Sequence, residues 1–226
     1  MLNTLVDNVI WHYRYPVSFA GLRVLARTTV VRRADGKLFV HSPGPLDPAL
    51  RHRLDELGTI THVCCPNRFH HLHVATFRAA YPGACYLAAP GLELKRADFR
   101  FDGVIGEAPV PDLAGEFEHR LFEGLPVLNE VVWFHRPTAT LLLTDLLFGF
   151  SGEMPPLKRL VTRLLGVHDR FAMSRTMTWL VRDREQARRS RDALLAWPFE
   201  RVIIAHEGLI LDDARDTVAG ALAWLG

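Results

Sequence analysis

The stretch Ile60-Thr-His-Val-Cys-Cys-Pro-Asn-Arg-Phe-His-His-Leu-His73 decides how this chain is read. Its apolar run, Val63 to Cys65, ends at Pro66. Three histidines then fall within four positions, at His70, His71 and His73. The run reads as a buried strand. It enters a loop with imidazoles gathered where a helix begins. In a layered α/β protein such a place commonly carries a metal or catalytic site, because loops at one sheet edge converge on a rigid scaffold.

The flanking sequence supplies the layers. Asn8 to Val17 is an aromatic-rich strand expected to end at Pro16, and Leu22 to Val31 is a second strand. Asp35-Gly36 between Val31 and Lys37–His41 signals a hairpin. Ser42-Pro-Gly-Pro45 ends that strand. Asp47-Pro48 then opens a helix, as N-cap and first helical residue, that stops at Gly58. Downstream, a helix is expected over His71–Ala80 and a short strand over Ala84–Ala88. The order β-α-β-α-β favours a layered α/β fold. Residues 90–111 read as irregular. Phe117–Leu121, Glu130–Phe134 and Thr140–Thr144 read as strands. Pro155–Leu165 has helical spacing, with Leu157, Leu160, Val161 and Leu164 separated by lysine and arginine. Met173–Trp197 reads as one long amphipathic helix or two, Arg201–Ala205 as a strand, and Asp212–Leu225 as a last helix.

At 226 residues the chain is expected to be one domain, residues 1–226, with a helical insertion at about 151–172. A hydrophobic content of 49% is enough for a substantial core. Net charge is +2, and the one dense basic segment, Arg182–Arg191, is interrupted by Asp183 and Glu185. That is a solvated helix face, so no nucleic-acid partner is expected. The three cysteines form no disulfide framework and no CxxC knuckle, which fits a reducing compartment. No secretory signal and no run of about 20 apolar residues is present. The expectation is a cytoplasmic protein with no membrane partner, acting on a small molecule, with a homodimer as one option through the Phe148–Arg175 segment.

Three apolar strands end in chemically capable residues. Ile60–Cys65 leads to Asn67, His70, His71 and His73; Thr140–Thr144 leads to Asp145; Val202–Ala205 leads to His206. Histidine with aspartate suits zinc, manganese or iron. Such a cation can acidify water and polarise an ester or phosphoryl group. Each residue also has a plain alternative. Asp145 can cap the next segment, His206 can be a core histidine, and His73 is expected to be structural. Glu130, beside the apolar Val131–Phe134 run, can be a ligand, a general base or the partner of an arginine such as Arg68. Asn67 reads as a loop residue tolerant of unusual dihedrals. His135 reads as facing solvent. Cys64 and Cys65 read as core. Neither Ser42 nor Ser151 has a GxSxG elbow, so serine hydrolysis is discounted.

The order of elements resembles the metallo-β-lactamase fold over nearly the whole chain. Thr144-Asp145 is similar to the segment supplying that fold's bridging aspartate. Ile204-Ala-His206-Glu-Gly208 is similar to the segment supplying its last histidine ligand. Pro66-Asn-Arg-Phe-His-His-Leu, Asn129-Glu-Val-Val-Trp-Phe-His135 and Thr140-Leu-Leu-Leu-Thr-Asp-Leu146 together resemble the domain-of-unknown-function 4336 branch. The resemblance implies an αββα sandwich and a metal-dependent hydrolase, with His70, His71, Asp145 and His206 as metal ligands. It implies Glu130 and Asp145 as catalytic residues, and a divalent ion, zinc first. The fold's HxHxDH motif is absent. His70-His71 stands near its aspartate-histidine pair, and Gly124–Leu128 lacks the middle histidine. Either a rearranged set binds one metal, or the chain is a non-catalytic binding protein that has lost it.

Overall fold

Two sheets pack face to face, with helices on the outer face of each, in the computed structural model, which describes residues 1–19 and 22–226. The strand β1 (Asn3–Val6) pairs antiparallel with β2 (Ile10–Phe19), and β2 with β3 (Leu22–Arg32). The hairpin at Asp35-Gly36 brings β4 (Leu38–His41) back along β3. After α1 (Pro48–Leu57), β5 (Ile60–Cys65) runs parallel to β4. Then α2 (Val74–Ala80), β6 (Cys85–Ala88), α3 (Leu92–Lys95) and β7 (Gly103–Val104) complete a seven-stranded sheet ordered β1 to β7.

The second sheet contains β8 (Phe117–Leu121), β9 (Val131–His135) and β10 (Thr140–Leu142). The chain next forms the small ladder of β11 (Phe148–Gly149) and β12 (Phe171–Ala172), enclosing α4 (Pro156–Leu165). It continues through α5 (Arg175–Leu180), α6 (Arg184–Leu195), β13 (Arg201–Ile203), β14 (Leu209–Ile210) and α7 (Ala214–Leu222). The second sheet's order is β14-β13-β10-β9-β8, with β10 and β13 parallel. The αββα sandwich expected from the sequence is therefore the fold.

Alternation along each strand divides the core into layers. Phe39, Cys64, Trp133, Leu142 and Ile203 fill the space between the sheets. Val40, Val63 and Cys65 turn the other way, onto Leu54, Val74 and Phe77 of the first helical layer. Neighbouring Cys64 and Cys65 thus point into different layers and are both core. On the far side, Phe134, Leu141 and Val202 pack on Leu194, Val218 and Leu222. Each fully buried aliphatic or aromatic side chain contributes about 1.5–3 kcal/mol, so these layers hold the sheets in a fixed relation.

Local signals place the elements. Asp47 caps α1 by accepting from Leu50 N at 2.7 Å, with Pro48 at the first turn. Asp47→Ala is expected to lower stability by about 1 kcal/mol, read as a small shift of the urea midpoint at unchanged slope. One expectation changes, and one open alternative is settled. The strand β2 does not end at Pro16 but runs to Phe19. Its outer edge is paired by β1 only over Ile10–His12, and exposed Pro16 lies beyond that pairing, where a missing N–H costs little. The Met173–Trp197 stretch forms two helices, α5 and α6, because Ser174 and Asp183 each start one. Asp183 accepts from Gln186 N at 2.9 Å and so caps α6.

Candidate metal centre

The carboxyl ends of the parallel strands β5, β10 and β13 meet at one edge of the sandwich, and the three expected groups meet with them. His70 Nε2 lies 3.2 Å from Asp145 Oδ2, and His206 Nε2 lies 2.9 Å from Asp145 Oδ1. The two Nε2 atoms are 3.3 Å apart. Among the described residues this is the one group of three histidine, cysteine or acidic side chains that could hold a metal ion. Each is buried, with only 6–8% of its surface exposed, so the group is largely shielded from solvent.

The surroundings hold each ring from behind. His206 Nδ1 faces the Leu25 carbonyl at 3.0 Å and donates to it, which turns Nε2 inward. His70 Nδ1 is 2.6 Å from Ser42 Oγ. Phe148 stacks on the His206 ring at 5.5 Å between centroids. Asn67 joins two sides of the site. Its Oδ1 accepts from Phe69 N and His70 N, both at 2.8 Å, and so shapes the turn that carries His70. Its Nδ2 donates to Asp145 Oδ2 at 2.7 Å and to Thr144 Oγ1 at 2.9 Å. Burial opposes the charge of Asp145, but His70 and His206 override it and hold the carboxyl well below the usual carboxylate range. Burial likewise disfavours a charged His206, yet the Asp145 carboxylate outweighs it and raises the imidazole pKa.

The remaining expected residues are elsewhere. His71 does not join the group: its Nδ1 lies 3.0 Å from Arg96 Nη1, facing α3. Burial, then Lys95 and Arg96, pushes its pKa down to about 4, so it is a neutral acceptor for that arginine. The reason is local. The Asn67 turn delays the helix to Val74, and within the turn successive residues point different ways, so only His70 faces inward. His73 packs edge-on against Tyr15 at 5.5 Å, a structural contact. Glu130 is no surface ligand, no base at the opening and no partner of Arg68, whose Nη1 donates to Pro126 O. With 1% exposure, Glu130 accepts from three backbone amides: Thr144 N at 2.7 Å, Asp145 N at 2.7 Å and Leu146 N at 3.0 Å. Burial and then the Asp145 carboxylate push its carboxyl pKa up, while the amides oppose this. His135 is fully buried rather than facing solvent, with Nδ1 2.8 Å from Thr138 Oγ1.

A family described as a domain of unknown function, DUF4336, matches residues 7–191. The chain belongs to this family. No curated protein shows a significant match. Solved structures similar to the chain are metallo-β-lactamases. One is from Pontibacter korlensis, with 11% identity and a TM-score of 0.68, covering 100% of this chain and 99% of its own. DIM-1 metallo-β-lactamase exposed to ceftazidime gives 13% identity and a TM-score of 0.71, covering 100% and 97%. FIM-1 from Pseudomonas aeruginosa, in its mono-zinc form, gives 10% identity and a TM-score of 0.66, covering 99% and 95%. At such low identity the likeness establishes a metallo-β-lactamase-type fold.

In this DUF4336 chain, sequence reasoning missed the supporting contacts of two residues at the site. Ser42 takes a left-handed φ of 61° while fully buried, and its hydroxyl meets His70 Nδ1. A buried serine in that conformation is strained, and its burial agrees with discounting it as a nucleophile. Arg27 is the other. It is 2% exposed and forks to three carbonyls of the loop that carries His206: Ile204 O at 2.5 Å, Gly208 O at 2.7 Å and Glu207 O at 3.0 Å. Its signal was present in the sequence, as one arginine in the middle of β3, inside the otherwise uncharged run Val24-Leu-Ala-Arg-Thr-Thr-Val-Val31.

Proposed function

We propose that the chain is a metal-dependent hydrolase in which His70 Nε2, the Asp145 carboxylate and His206 Nε2 hold one divalent cation, zinc first, with manganese or iron as alternatives. One observation carries this reading. Asp145 faces both imidazoles, with Oδ1 2.9 Å from His206 Nε2 and Oδ2 3.2 Å from His70 Nε2, and the two Nε2 atoms lie 3.3 Å apart. Tetrahedral ligation at roughly 2.0–2.1 Å places neighbouring donors about 3.3 Å apart, so the donor set fits such an ion. Three protein donors also leave a position for water or substrate, as catalytic zinc sites do and structural ones do not.

When bound, the ion supplies Lewis acidity toward water and toward an ester, thioester or phosphoester oxygen. The protein's own groups set up that chemistry. Leu25 O and Ser42 Oγ fix the two imidazoles from behind, the outer support on which metal-ligating histidines depend. Asn67 holds Asp145 Oδ2, and Glu130 fixes the Asp145 backbone. Phe148 covers one face of His206 and limits water there. Asp145 is the one carboxylate among the grouped residues, so it would supply the anionic donor of the set.

A non-catalytic binding protein of the same fold is the second reading. It is favoured by the contacts of Asp145 with both imidazoles, 3.2 Å to His70 Nε2 and 2.9 Å to His206 Nε2, which pair the buried carboxylate without an ion. Assays with p-nitrophenyl acetate, an acyl thioester and bis-p-nitrophenyl phosphate separate the two. Protein loaded with zinc, manganese or iron should hydrolyse at least one, and a chelator should abolish the turnover. Bound metal with no turnover across the panel would favour the binding protein.

A further inference from the structure

The helix α4 turns its most apolar stripe to solvent. Leu157, Leu160 and Leu164 are 64%, 55% and 60% exposed. At about 100° per residue these three positions share one arc of the helix, and Arg159 and Arg163 fall on the arc beside it. Both arginines are exposed. The opposite side is seated: Thr162 is buried, and Lys158 pairs with Glu207 at 2.8 Å, next to His206. The neighbouring helix α5 adds Trp179, 83% exposed, and Leu180, 40% exposed. From Pro155 to Arg182 the sequence carries Lys158, Arg159, Arg163, Arg170, Arg175 and Arg182 against one acid, Asp169. Arg170 and Arg175 are held by the carbonyls of Gly166 and Leu164, which leave their charges uncancelled.

We propose that the face formed by α4 and α5 docks on an anionic phospholipid surface, with Leu157, Leu160, Leu164 and Trp179 entering the headgroup–acyl boundary and Arg159 and Arg163 meeting the phosphates. Leucine on one arc of a helix with arginine beside it, and an exposed tryptophan on the adjoining helix, suits a surface that lies in a bilayer interface. Long basic side chains reach headgroups while their methylene stems stay in the apolar zone. The surplus of positive charge matches an anionic surface. A second copy is a poorer occupant, because a two-fold pairing through this face sets arginine-rich surfaces against each other. No described helix is long and apolar enough to cross a membrane, so the contact is with the surface. The Lys158–Glu207 pair links the docked helix to the loop bearing His206. The docking itself does not depend on the metal reading.

Flotation of the full chain with vesicles tests it. Phosphatidylcholine vesicles containing about 30% phosphatidylglycerol should bind at least about tenfold more protein than pure phosphatidylcholine, and raised salt should weaken the binding. Leu160→Glu with Leu164→Glu should reduce binding at least about tenfold. Both side chains are exposed, so the double variant should melt with the parent. Trp11, Trp133 and Trp197 are buried and Trp224 is half-buried, so a lipid-induced blue shift of tryptophan emission should come chiefly from exposed Trp179 and be largely lost in Trp179→Phe. Equal binding to both vesicles, no binding, or binding unaffected by the double variant would overturn the proposal. So would a dimer in lipid-free solution that the double variant dissociates.

Discussion

Glu130→Gln is expected to destabilise the protein by about 3 kcal/mol, or roughly 6–12 °C in Tm for a chain of this size. The carboxylate lies beneath the Thr144–Leu146 segment with both oxygens committed to amides, Oε1 to Thr144 N and Oε2 to Asp145 N and Leu146 N. A glutamine offers one acceptor oxygen. Either way round, its NH2 group faces a backbone N–H at a position where an acceptor sat 2.7 Å away. A buried donor then loses its partner, which costs about 1–3 kcal/mol, and the two donors repel. Glu130→Leu would leave three amides without acceptors and should be worse. Thermal melting beside the exposed control Glu123→Gln measures the effect. If Glu130→Gln melted with the control, the anchoring role would be wrong. Because the segment carries Asp145, metal affinity should fall as well, which titration of zinc into the variant below its melting range would show.

Arg27→Leu is expected to cost about 3 kcal/mol and to weaken metal binding about 10- to 100-fold. The guanidinium ties a strand of the first sheet to the loop of the second that bears His206. The same strand supplies Leu25 O to His206 Nδ1. Leucine fills part of the volume but leaves three carbonyls without a donor, so the loop and its imidazole lose their support. Arg27→Lys separates charge from geometry. An ammonium keeps the positive charge but cannot reproduce the planar fork, so it should fall between parent and leucine in zinc affinity. If leucine and lysine both bound zinc like the parent, Arg27 would not position His206.

The elements that position the site were legible because their signals are local. The apolar run ending at Pro66, the Asp35-Gly36 turn and the Asp47-Pro48 helix start each follow from residues within a few positions. The convergence of His70, Asp145 and His206 followed from three strands ending in polar groups, since one sheet edge gathers its loops. Which histidine turned inward was not legible. It depends on an Asn67 side chain that folds back on the amides of Phe69 and His70, a contact with no fixed sequence mark. Glu130 was placed beside its strand, but its role depended on amides fourteen to sixteen residues away. Arg27 and His206 are joined across the sandwich, and such long-range pairing leaves no periodic trace. The leucine stripe of Pro155–Leu165 carried a correct helical signal, but periodicity cannot say whether an apolar face meets the core or is left to another surface.

The central claim is that His70, Asp145 and His206 hold one divalent ion. Elemental analysis of protein purified without chelator, reloaded with zinc and freed of excess, tests it most directly beside His206→Ala. The parent should retain about one zinc per chain, and the variant should retain little, since a two-ligand remnant binds weakly. No retained metal in the parent, or equal content in parent and variant, would contradict it.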